Sequence, residues 1–407
     1  MNKKISIIGI GMNGISTLTK EAEKAVHEAE LLIGAARMLE PFKQLKKHFY
    51  MEYQSAEIAR YINDSSINKI AVLMSGDCGF FSGAEKLKEL LSAFETEIIC
   101  GISSPVYFCS KLGLSWNDMH FVSLHGKSGN ISRIASAHEK VFFLLGGNLD
   151  AAGVCRRLCE YGLGKVTVYI GENLGYPDEK ISAGNAESFS EYKAAGLSVM
   201  ITVNKDYEKF LSTSIPDKEF IRGRIPMTKS EVRGTAVSRL EIRKDDICWD
   251  IGSGTGSVSV EMAMRCEKGK VYAVEKKAEA AELTQQNSRK FHCDNIEVIN
   301  SDAAAALEVL PDPDCIFIGG SGGELKEIIY GAYQKNRNVR IAVTAVTIES
   351  LSRCTEIFNE LGFEADISQL AVTRTEKVGS YTMFRAENPV FIITSSGKPR
   401  GVGVPGA

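Results

Sequence analysis

The sequence predicts an α/β protein of two domains, and three observations support that fold class. The 407 residues exceed what one ordinary hydrophobic core accommodates. Short apolar runs typical of strands alternate with segments of helical periodicity in both halves of the chain. The alternation lapses over residues 204–222, which are polar, contain a proline and show no regular period. We therefore expect one α/β domain on each side of this stretch.

The first half opens with an apolar run at residues 5–8 that leads into a glycine turn. A helix is expected next, because Leu18, Ala22 and Val26 recur near the 3.6-residue period. Further apolar runs follow, and their lack of polar alternation favours a largely parallel sheet that is buried on both faces. These runs are "LLIGAA", "KIAVLMSGD", "TEIICGISS", "VFFLLGGN", "KVTVYIGENLG" and "LSVMITVN".

The second half repeats the alternation with different motifs. Its expected strands are "DICWDIG", "KVYAVE", "NIEVINSD", "DCIFIGG" and "RIAVTAV", and then a closing pair, "FEADISQLAVTRTE" with "PVFIITSS". The last residues, 397–407, are rich in glycine and proline, and we expect them to be a disordered tail.

The composition excludes several classes of protein. Hydrophobic residues make up 44% and charged residues 24%, as in soluble globular proteins, and a net charge of −3 gives no global case for a nucleic-acid partner. No apolar stretch approaches the length of a membrane span, and the N-terminus does not resemble a signal peptide. We therefore expect a cytoplasmic protein without a membrane partner.

The ten cysteines are scattered and form no C-x-x-C pair. Cys155 and Cys159 have a helical spacing that would suit a shared metal, but no neighbouring His or Cys pair completes a site. We interpret the cysteines as thiols of a reducing compartment and expect no metal.

The clearest functional signal is the glycine turn in "CWDIGSGTGSVSVEMA". A predicted strand meets this turn and a helix follows it, so backbone N–H groups can face a ligand without intervening side chains. The next strand ends in Glu275, which can hydrogen-bond ribose hydroxyls, and the third leads to Asp302 and Ala303, beside the place of an adenine ring. Together with Asp250 before the first glycine, this pattern favours S-adenosylmethionine (SAM) over NAD, which stays the weaker alternative.

An earlier stretch, "GIGMNG" at residues 9–14, spells the dinucleotide fingerprint G-x-G-x-x-G. That fingerprint requires an acidic residue at the end of the following strand. Here Gly34 or Ala35 takes that position, with Glu30 before the strand and Glu40 beyond it. We therefore reject NAD binding at this loop.

Several motifs of the second half resemble one family, the decarboxylating cobalt-precorrin-6B methyltransferases of cobalamin biosynthesis. They are "IPMTKSEVR", "DIGSGTGSVSVE", "VYAVE", "SDAAAAL", "AVTIESL" and the distinctive "FIGGSGG", and the resemblance covers about residues 222–395. It implies a Rossmann-like class I SAM methyltransferase. SAM contacts are expected from Thr228, Gly252, Ser253, Gly254, Thr255, Gly256, Glu275 and Ala303, and from Asp302 on its spacing.

The first half, over about residues 3–204, resembles the tetrapyrrole methylases, which are class III SAM enzymes of two α/β lobes. The resemblance lies in "IGIGMNG", "TLTKEAEKAVHEAE", "LMSGDCGFFSG" and "ICGISSPVYFCSKLG", and "ENLGYPDEKI" is typical of the branch that methylates ring carbon 5. Asn13, Cys78 and Cys100 stand where that family usually has proline. The resemblance implies SAM contacts from Gly11, Ser75, Gly76, Asp77, Ser103 and Ser104, and from Leu144 or Leu145.

The resemblance also implies a reduced tetrapyrrole substrate with many carboxylates, which Arg and Lys side chains bind well. Four cations lie just before the second glycine turn, and we weigh them equally as carboxylate ligands and as a solvated surface: Arg222, Arg224, Lys229 and Arg233. Methyl transfer requires alignment rather than a catalytic triad. For decarboxylation, Glu231 and Tyr381 are the candidate proton donors.

The resulting hypothesis is a bifunctional enzyme with two SAM sites. Residues 1–205 would methylate carbon 5, 206–221 would be a linker, and 222–396 would methylate carbon 15 and remove the carboxylate of the ring C acetate. A homo-oligomer, dimer or tetramer, is expected. The alternatives are an RNA or protein methyltransferase with a degenerate first domain, an NAD-linked oxidoreductase and a non-catalytic scaffold.

Overall fold

The computed structural model of the protein describes residues 3–125, 129–147, 149–194, 196–208 and 214–395. The expected tail 397–407, and residues 209–213 of the expected linker, lie outside this described part. The described chain forms two compact units. The first takes the segments up to 125, 139–153 and 166–204, and the second takes 129–138, 154–165 and the chain from 205 onward.

The first unit contains a five-stranded parallel sheet in the order β3-β2-β4-β1-β5. Apolar residues cover both faces, which is why strands such as Ile5–Ile8 carry few polar side chains. The strands are β1 (Lys4–Gly9), β2 (Leu31–Gly34), β3 (His48–Met51), β4 (Lys69–Met74) and β5 (Glu95–Ile99). The helices among and after them are α1 (Lys20–Glu28), α2 (Ala36–Leu39), α3 (Ser55–Asp64), α4 (Ala84–Leu90) and α5 (Ser104–Leu112).

A second five-stranded sheet of this unit has the order β6-β7-β10-β8-β9. Its strands are β6 (His120–Ser123), β7 (Lys140–Leu144), β8 (Thr167–Glu172), β9 (Lys180–Asn185) and β10 (Ser198–Val203). Only β6 and β7 pair in parallel, and the other neighbours are antiparallel. The expectation of a largely parallel sheet is therefore wrong here, because a fully apolar strand does not encode the direction of its neighbour.

The second unit is built on a seven-stranded sheet in the order β13-β12-β11-β14-β15-β19-β16. Its first five members are parallel, and β19 is antiparallel to both of its neighbours, β15 and β16. The strands are β11 (Ile247–Ile251), β12 (Lys270–Glu275), β13 (Ile296–Asn300), β14 (Cys315–Ile318), β15 (Arg340–Ala345), β16 (Asp366–Leu370) and β19 (Val390–Ser395).

Helices cover both faces of this sheet and bury two apolar clusters against it. They are α8 (Ser230–Arg239), α9 (Ser257–Ala263), α10 (Ala278–Lys290), α11 (Ala303–Leu307), α12 (Leu325–Lys335) and α13 (Ile348–Glu360). The unit also takes α6 (Ile131–Ala137) and most of α7 (Ala151–Glu160), two helices that precede residue 205 in the chain.

A separate two-stranded hairpin, β17 (Thr373–Val378) with β18 (Tyr381–Ala386), completes the second unit. The stretch "FEADISQLAVTRTE", expected as one strand, is thus two strands with different partners, because β16 joins the main sheet and β17 pairs with β18. A continuous β-forming run does not reveal where the chain changes its pairing partner.

Candidate cofactor and substrate sites

The second unit has a cavity of about 620 Å³ at the carboxyl ends of its parallel strands. This is the edge at which doubly wound α/β sheets ordinarily bind ligands. The cavity brings together most of the SAM contacts expected in this half, with Thr255 and Gly256 absent from its lining. The expected residues that line it are Thr228, Gly252, Ser253, Gly254, Glu275, Asp302 and Ala303.

The glycine turn after β11 is held by close backbone contacts. Gly252 has a φ of +74°, and a Cβ there would lie 2.5 Å from the carbonyl oxygen of Gly320. Any other residue at this position would collide with the backbone of "FIGGSGG". The two glycine motifs of this half therefore meet directly, and the backbone of the second excludes a side chain at Gly252.

Glu275, at the end of β12, ties this turn to the sheet. Its Oε2 accepts the backbone N–H of Gly254 at 3.0 Å, and its Oε1 accepts that of Lys277 at 2.9 Å. A carboxylate oxygen can accept more than one hydrogen bond, so acceptor capacity remains for ligand hydroxyls. Asp302, by contrast, forms an ion pair with Lys276 at 2.6 Å.

Asp250 is fully buried and borders the same cavity. Its Oδ2 accepts the hydroxyl of Ser259, whereas its Oδ1 has no hydrogen-bond partner among the described residues. Burial raises the pKa of this carboxyl to about 7, against the lowering effect of Ser259. An unpartnered buried carboxylate oxygen beside a cavity suits a ligand that brings a donor or a positive charge, as the amino group of SAM does.

A second cavity of this unit, of about 570 Å³, is lined by charged side chains. Two of the four predicted substrate cations, Arg222 and Lys229, border it, and Lys229 also borders the cavity of the glycine turn. Arg374 of β17 reaches it too. Arg224 is exposed but lines neither cavity.

Arg233 is not available to a substrate, which corrects its sequence-based assignment. Its side chain is fully buried, and each of its three nitrogens donates to a protein group. Nε donates to Glu261 at 2.7 Å, and Nη1 donates to the carbonyl of Thr228 at 2.7 Å and to Asp217 at 3.3 Å. Nη2 donates to the carbonyl of Ile215. This arginine joins α8, α9 and the segment before α8.

The two candidate proton donors have different surroundings. Glu231 forms an ion pair with Arg374 at 2.5 Å. Desolvation opposes its charge, but hydrogen bonds from Arg374 and Ser230 leave the pKa of Glu231 below its ordinary value. Glu231 is therefore ionised near neutral pH and does not hold a proton to give. Tyr381 is 74% exposed on β18 and lines none of these three cavities of the described chain.

The first unit has its own cavity, of about 750 Å³. Five of the SAM contacts expected in this half line it, together with the alternative Leu145: Ser75, Gly76, Asp77, Ser104 and Leu144. Gly11 and Ser103 are not among the lining residues. Gly11 instead exchanges two backbone hydrogen bonds with Gly76, at 2.8 and 3.1 Å, which fixes the loop that carries Asp77.

The carboxylate of Asp77 organises the loops at the floor of this cavity. It accepts the backbone N–H of Gly79 at 2.8 Å through one oxygen and that of Gly101 at 2.9 Å through the other. Gly101 lies so close to the backbone that a Cβ there would be 2.3 Å from the carbonyl oxygen of Gly76. The motifs "SGDCG" and "CGISS" are therefore held together.

Two of the residues that stand where the resembled family usually has proline have structural partners of their own. Asn13 donates from Nδ2 to the carbonyl of Gly175 at 2.5 Å and accepts the hydroxyl of Ser16. Cys78 is buried, with Sγ 3.6 Å from the carbonyl oxygen of Ile7, and burial raises the pKa of its thiol to about 12. Cys100, in contrast, is exposed.

Sequence reasoning missed several residues that border the first cavity. Arg37, just after β2, donates from Nη1 to the hydroxyl of Tyr176 at 3.2 Å, and Tyr53 and Phe81 also line the cavity. Arg37 could have been predicted from its position in the sequence. It follows a parallel strand, at the edge of the sheet where the carboxyl ends of the strands meet. Tyr176 offered no comparable sequence signal.

The described residues lack two features that would indicate other functions. No helix in this part of the chain is long and apolar enough to cross a membrane. The same residues contain no group of three or more His, Cys, Asp and Glu side chains arranged to hold a metal ion. None of the cysteines forms a disulfide bond in the structure.

Comparison with known proteins gives matches in both halves. Residues 4–190 match the family model of the tetrapyrrole (corrin/porphyrin) methylases, and 220–396 match that of the precorrin methyltransferase domain. The chain therefore contains a tetrapyrrole methylase domain and a second methyltransferase domain. Both belong to α/β units with mixed or parallel sheets.

Two individual relatives agree with this assignment. The chain is 41% identical, over 46% of its own length and 97% of the relative, to a probable cobalt-precorrin-6B C(15)-methyltransferase (decarboxylating) of Pyrobaculum calidifontis. It is 25% identical, over 95% of its length and 94% of the relative, to a precorrin-6Y C(5,15)-methyltransferase [decarboxylating] of a Sinorhizobium species. A crystal structure of a precorrin-6y C5,15-methyltransferase from Geobacter metallireducens GS-15 matches at 36% identity and a TM-score of 0.43, over 45% of this chain and 95% of that one.

Proposed function

We propose a function from the premise that this chain belongs to the family of decarboxylating precorrin methyltransferases. It is a SAM-dependent enzyme of cobalamin biosynthesis that methylates a precorrin or cobalt-precorrin at ring carbons 5 and 15 and decarboxylates the ring C acetate. The observation that carries this proposal is the end-to-end similarity to a C(5,15)-methyltransferase, combined with a separate ligand-sized cavity in each unit. That similarity does not favour an RNA or protein methyltransferase.

The two activities are assigned to two domains. Residues 1–205 form a class III tetrapyrrole methylase that acts on carbon 5, and 222–396 form a Rossmann-like class I methyltransferase that acts on carbon 15, with 206–221 as the linker. The strand order of the second unit supports the class I assignment, since β11 is central and the chain passes first to β12 and β13 and then to β14 and β15.

Each domain holds one SAM, so the chain has two sites. In the second domain, Gly252, Gly254 and Glu275 supply the backbone approach and the ribose acceptor, and Asp250 supplies an unpartnered carboxylate oxygen. Thr228, Ser253, Asp302 and Ala303 complete the lining. In the first domain the cofactor is bound by Ser75, Gly76, Asp77, Ser104 and Leu144. Gly11 and Ser103 do not line the cavity and support the residues that do.

SAM, when bound, supplies an electrophilic methyl group at its sulfonium. The ring carbon of the substrate provides the electron pair for the new C–C bond, so the protein's task is to align the two partners and exclude water. In decarboxylation the C–C bond to the acetate carboxyl breaks, carbon dioxide leaves, and the macrocycle accepts the electron pair. A proton from Tyr381 or from solvent then completes the methyl group, whereas Glu231 orients Arg374.

Substrate carboxylates are bound by Arg222 and Lys229 in the charged cavity, with Arg224 at the exposed surface nearby and Arg374 on the hairpin. Arg233 is left out because it is fully buried and each of its nitrogens already donates to a protein group. We further propose a homo-oligomer, and the cytoplasmic location expected from the sequence stays a prediction.

A mass-resolved assay tests the function. The full chain is incubated with SAM and with cobalt-containing or metal-free precorrin, and the products are examined for methyl gain and carbon dioxide loss. Calorimetry with S-adenosylhomocysteine should report two sites per chain. Asp77→Ala should remove the first and Gly252→Val the second. A single site that survives Gly252→Val and vanishes with Asp77→Ala would refute the second assignment.

A further inference from the structure

The cavity of the first unit is lined by one arginine and no lysine among the residues that the structure describes there. That residue is Arg37, on the short helix α2. The proposed substrate carries many carboxylates, yet the cations that the sequence suggested for binding them all lie in the second half of the chain. The first unit therefore needs a cation of its own to bind a substrate carboxylate. Arg37 lines its cavity and can serve as that cation.

Arg37 has donors to spare. Its one hydrogen bond among the described residues runs from Nη1 to the hydroxyl of Tyr176 at 3.2 Å, and no described carboxylate forms an ion pair with it. A guanidinium carries five N–H donors in a fixed fork that suits a carboxylate. The bond to Tyr176 restrains the side chain without neutralising its charge.

The carboxylates of the described acidic residues in the cavity accept hydrogen bonds from backbone N–H groups and form no ion pair with Arg37. Asp77 accepts two backbone N–H groups, and Asp150 accepts that of Gly153 at 2.7 Å. Glu52 accepts the N–H groups of the two residues that follow it, which lower its pKa. Each carboxylate is stabilised locally, so the cavity can hold three acids and still present a free cation.

Exposed aromatic side chains border the same cavity. Tyr53 is 75% exposed and Phe81 is 52% exposed, and Phe81 has a φ of +47°, which non-glycine residues rarely adopt. Phe80, the preceding residue, packs edge-on against Phe121 and Phe142 and anchors this conformation. Exposed aromatic rings held beside an unneutralised guanidinium match a ligand with an apolar ring face and acidic side chains.

We propose that Arg37, restrained by Tyr176, binds a side-chain carboxylate of the tetrapyrrole in the first unit, and that Tyr53 and Phe81 cover a face of its ring. This assignment rests on the proposed function and specifies where the carbon-5 substrate is recognised. Arg37 is a binding residue and takes no part in the methyl transfer itself.

The test uses the full chain with Arg222 and Lys229 replaced by alanine, so that the charged cavity of the second unit does not contribute. Binding of uroporphyrin, an octacarboxylate, and of its octamethyl ester is measured by fluorescence quenching. Arg37→Ala should weaken uroporphyrin binding about tenfold or more and leave ester binding unchanged. Arg37→Lys should fall between, because it keeps the charge and loses the fork.

The matched control is Arg60→Ala, an exposed arginine of α3 that forms an ion pair with Glu57. S-adenosylhomocysteine binding and the melting temperature should be unchanged in both alanine variants. Equal uroporphyrin affinity in Arg37→Ala and Arg60→Ala would overturn the assignment, and so would an equal loss for acid and ester. Failure of the unsubstituted chain to methylate any precorrin would overturn the proposed function instead.

Discussion

The backbone N–H of Gly254 donates a hydrogen bond of 3.0 Å to Oε2 of Glu275, so the glycine turn after β11 and the end of β12 are joined directly. The carboxylate thus has two tasks. It holds the turn in shape, and its remaining acceptor capacity faces the cavity in which the cofactor is proposed to bind. The affinity of this site for the cofactor should therefore depend on Glu275 through both the shape of the turn and the direct contact with the ligand.

We therefore predict that Glu275→Ala weakens S-adenosylhomocysteine binding to the second unit by about 10- to 100-fold, the usual value of a hydrogen bond to a charged group. Glu275→Gln should lose less, because an amide oxygen can still accept from Gly254. Calorimetry in an Asp77→Ala background isolates this site. The control is Glu297→Ala, since Glu297 is an exposed residue of β13 that pairs with Lys270. An equal affinity of Glu275→Ala and Glu297→Ala for S-adenosylhomocysteine would contradict the prediction.

The buried carboxyl of Asp250 predicts a pH dependence of stability. Burial raises its pKa to about 7 from the ordinary value near 4, so the folded state binds more protons than the unfolded state between these two values. Stability of the ligand-free second unit should therefore fall as pH rises from about 4 to about 7, by as much as a few kcal/mol, and level off above.

The variant Asp250→Asn should flatten this slope. Unfolding can be followed by the fluorescence of Trp249, which is fully buried in β11, in a Trp116→Phe background that silences the exposed tryptophan of the first unit. The side chain of Asp294 is also fully buried and its pKa is raised to about 7, so Asp294→Asn is the matched comparison and should remove a further part of the slope. A slope that neither variant changes would show that these carboxyls do not titrate in this range.

The sequence predicted the parts of the fold that local patterns encode. The glycine turn at Gly252 and the α/β alternation of both halves are visible in residue spacing, and the cavity beside Glu275 follows from parallel topology. The pairing direction of the strands in the second sheet was not predictable, because an apolar strand has the same sequence pattern whether its neighbour is parallel or antiparallel. The short strands β3, β6 and β9 were missed because they are half-exposed and carry polar residues.

Site residues show the same limit. Arg222, Lys229 and Arg233 are all cations of one short segment, and the sequence does not distinguish them. In the structure Arg222 and Lys229 line a cavity, whereas Arg233 is buried in an ion-pair network. Only tertiary packing distinguishes them, since Glu261 and Asp217, the partners of Arg233, are 28 and 16 residues away in the chain. Arg37 was overlooked for a related reason, because its partner Tyr176 is 139 residues away.

Arg233 should be essential for stability and not for substrate binding. We predict that Arg233→Met lowers the free energy of unfolding of the second unit by about 3–5 kcal/mol, since it removes the closer of the two arginines that pair with the buried Glu261 and leaves only Arg265 at 3.9 Å. The double variant Arg233→Met/Glu261→Gln should recover part of that loss. Urea denaturation followed by Trp249 fluorescence measures both.

The control for this prediction is Arg239→Met, which breaks the exposed ion pair with Asp366 and should cost about 1 kcal/mol or less. The folded fraction of Arg233→Met should keep the KM of the parent chain. A raised KM at unchanged stability would return Arg233 to the substrate site.

Lys229 borders both cavities of the second unit, and Arg222 borders the charged one, so each should bind a substrate carboxylate during carbon-15 methylation. Because the carboxylate is present in both the ground state and the transition state, its loss should raise KM and leave kcat nearly unchanged. We predict a rise of about tenfold for Lys229→Ala and for Arg222→Ala in carbon dioxide release, and a weaker effect of salt on KM than in the parent chain. Lys244→Ala, an exposed lysine that pairs with Glu267 in the same unit, is the control and should change neither quantity. If the KM of either cavity variant equals that of Lys244→Ala at low ionic strength, that cation belongs to the solvated surface, and the carboxylates of the substrate are bound elsewhere.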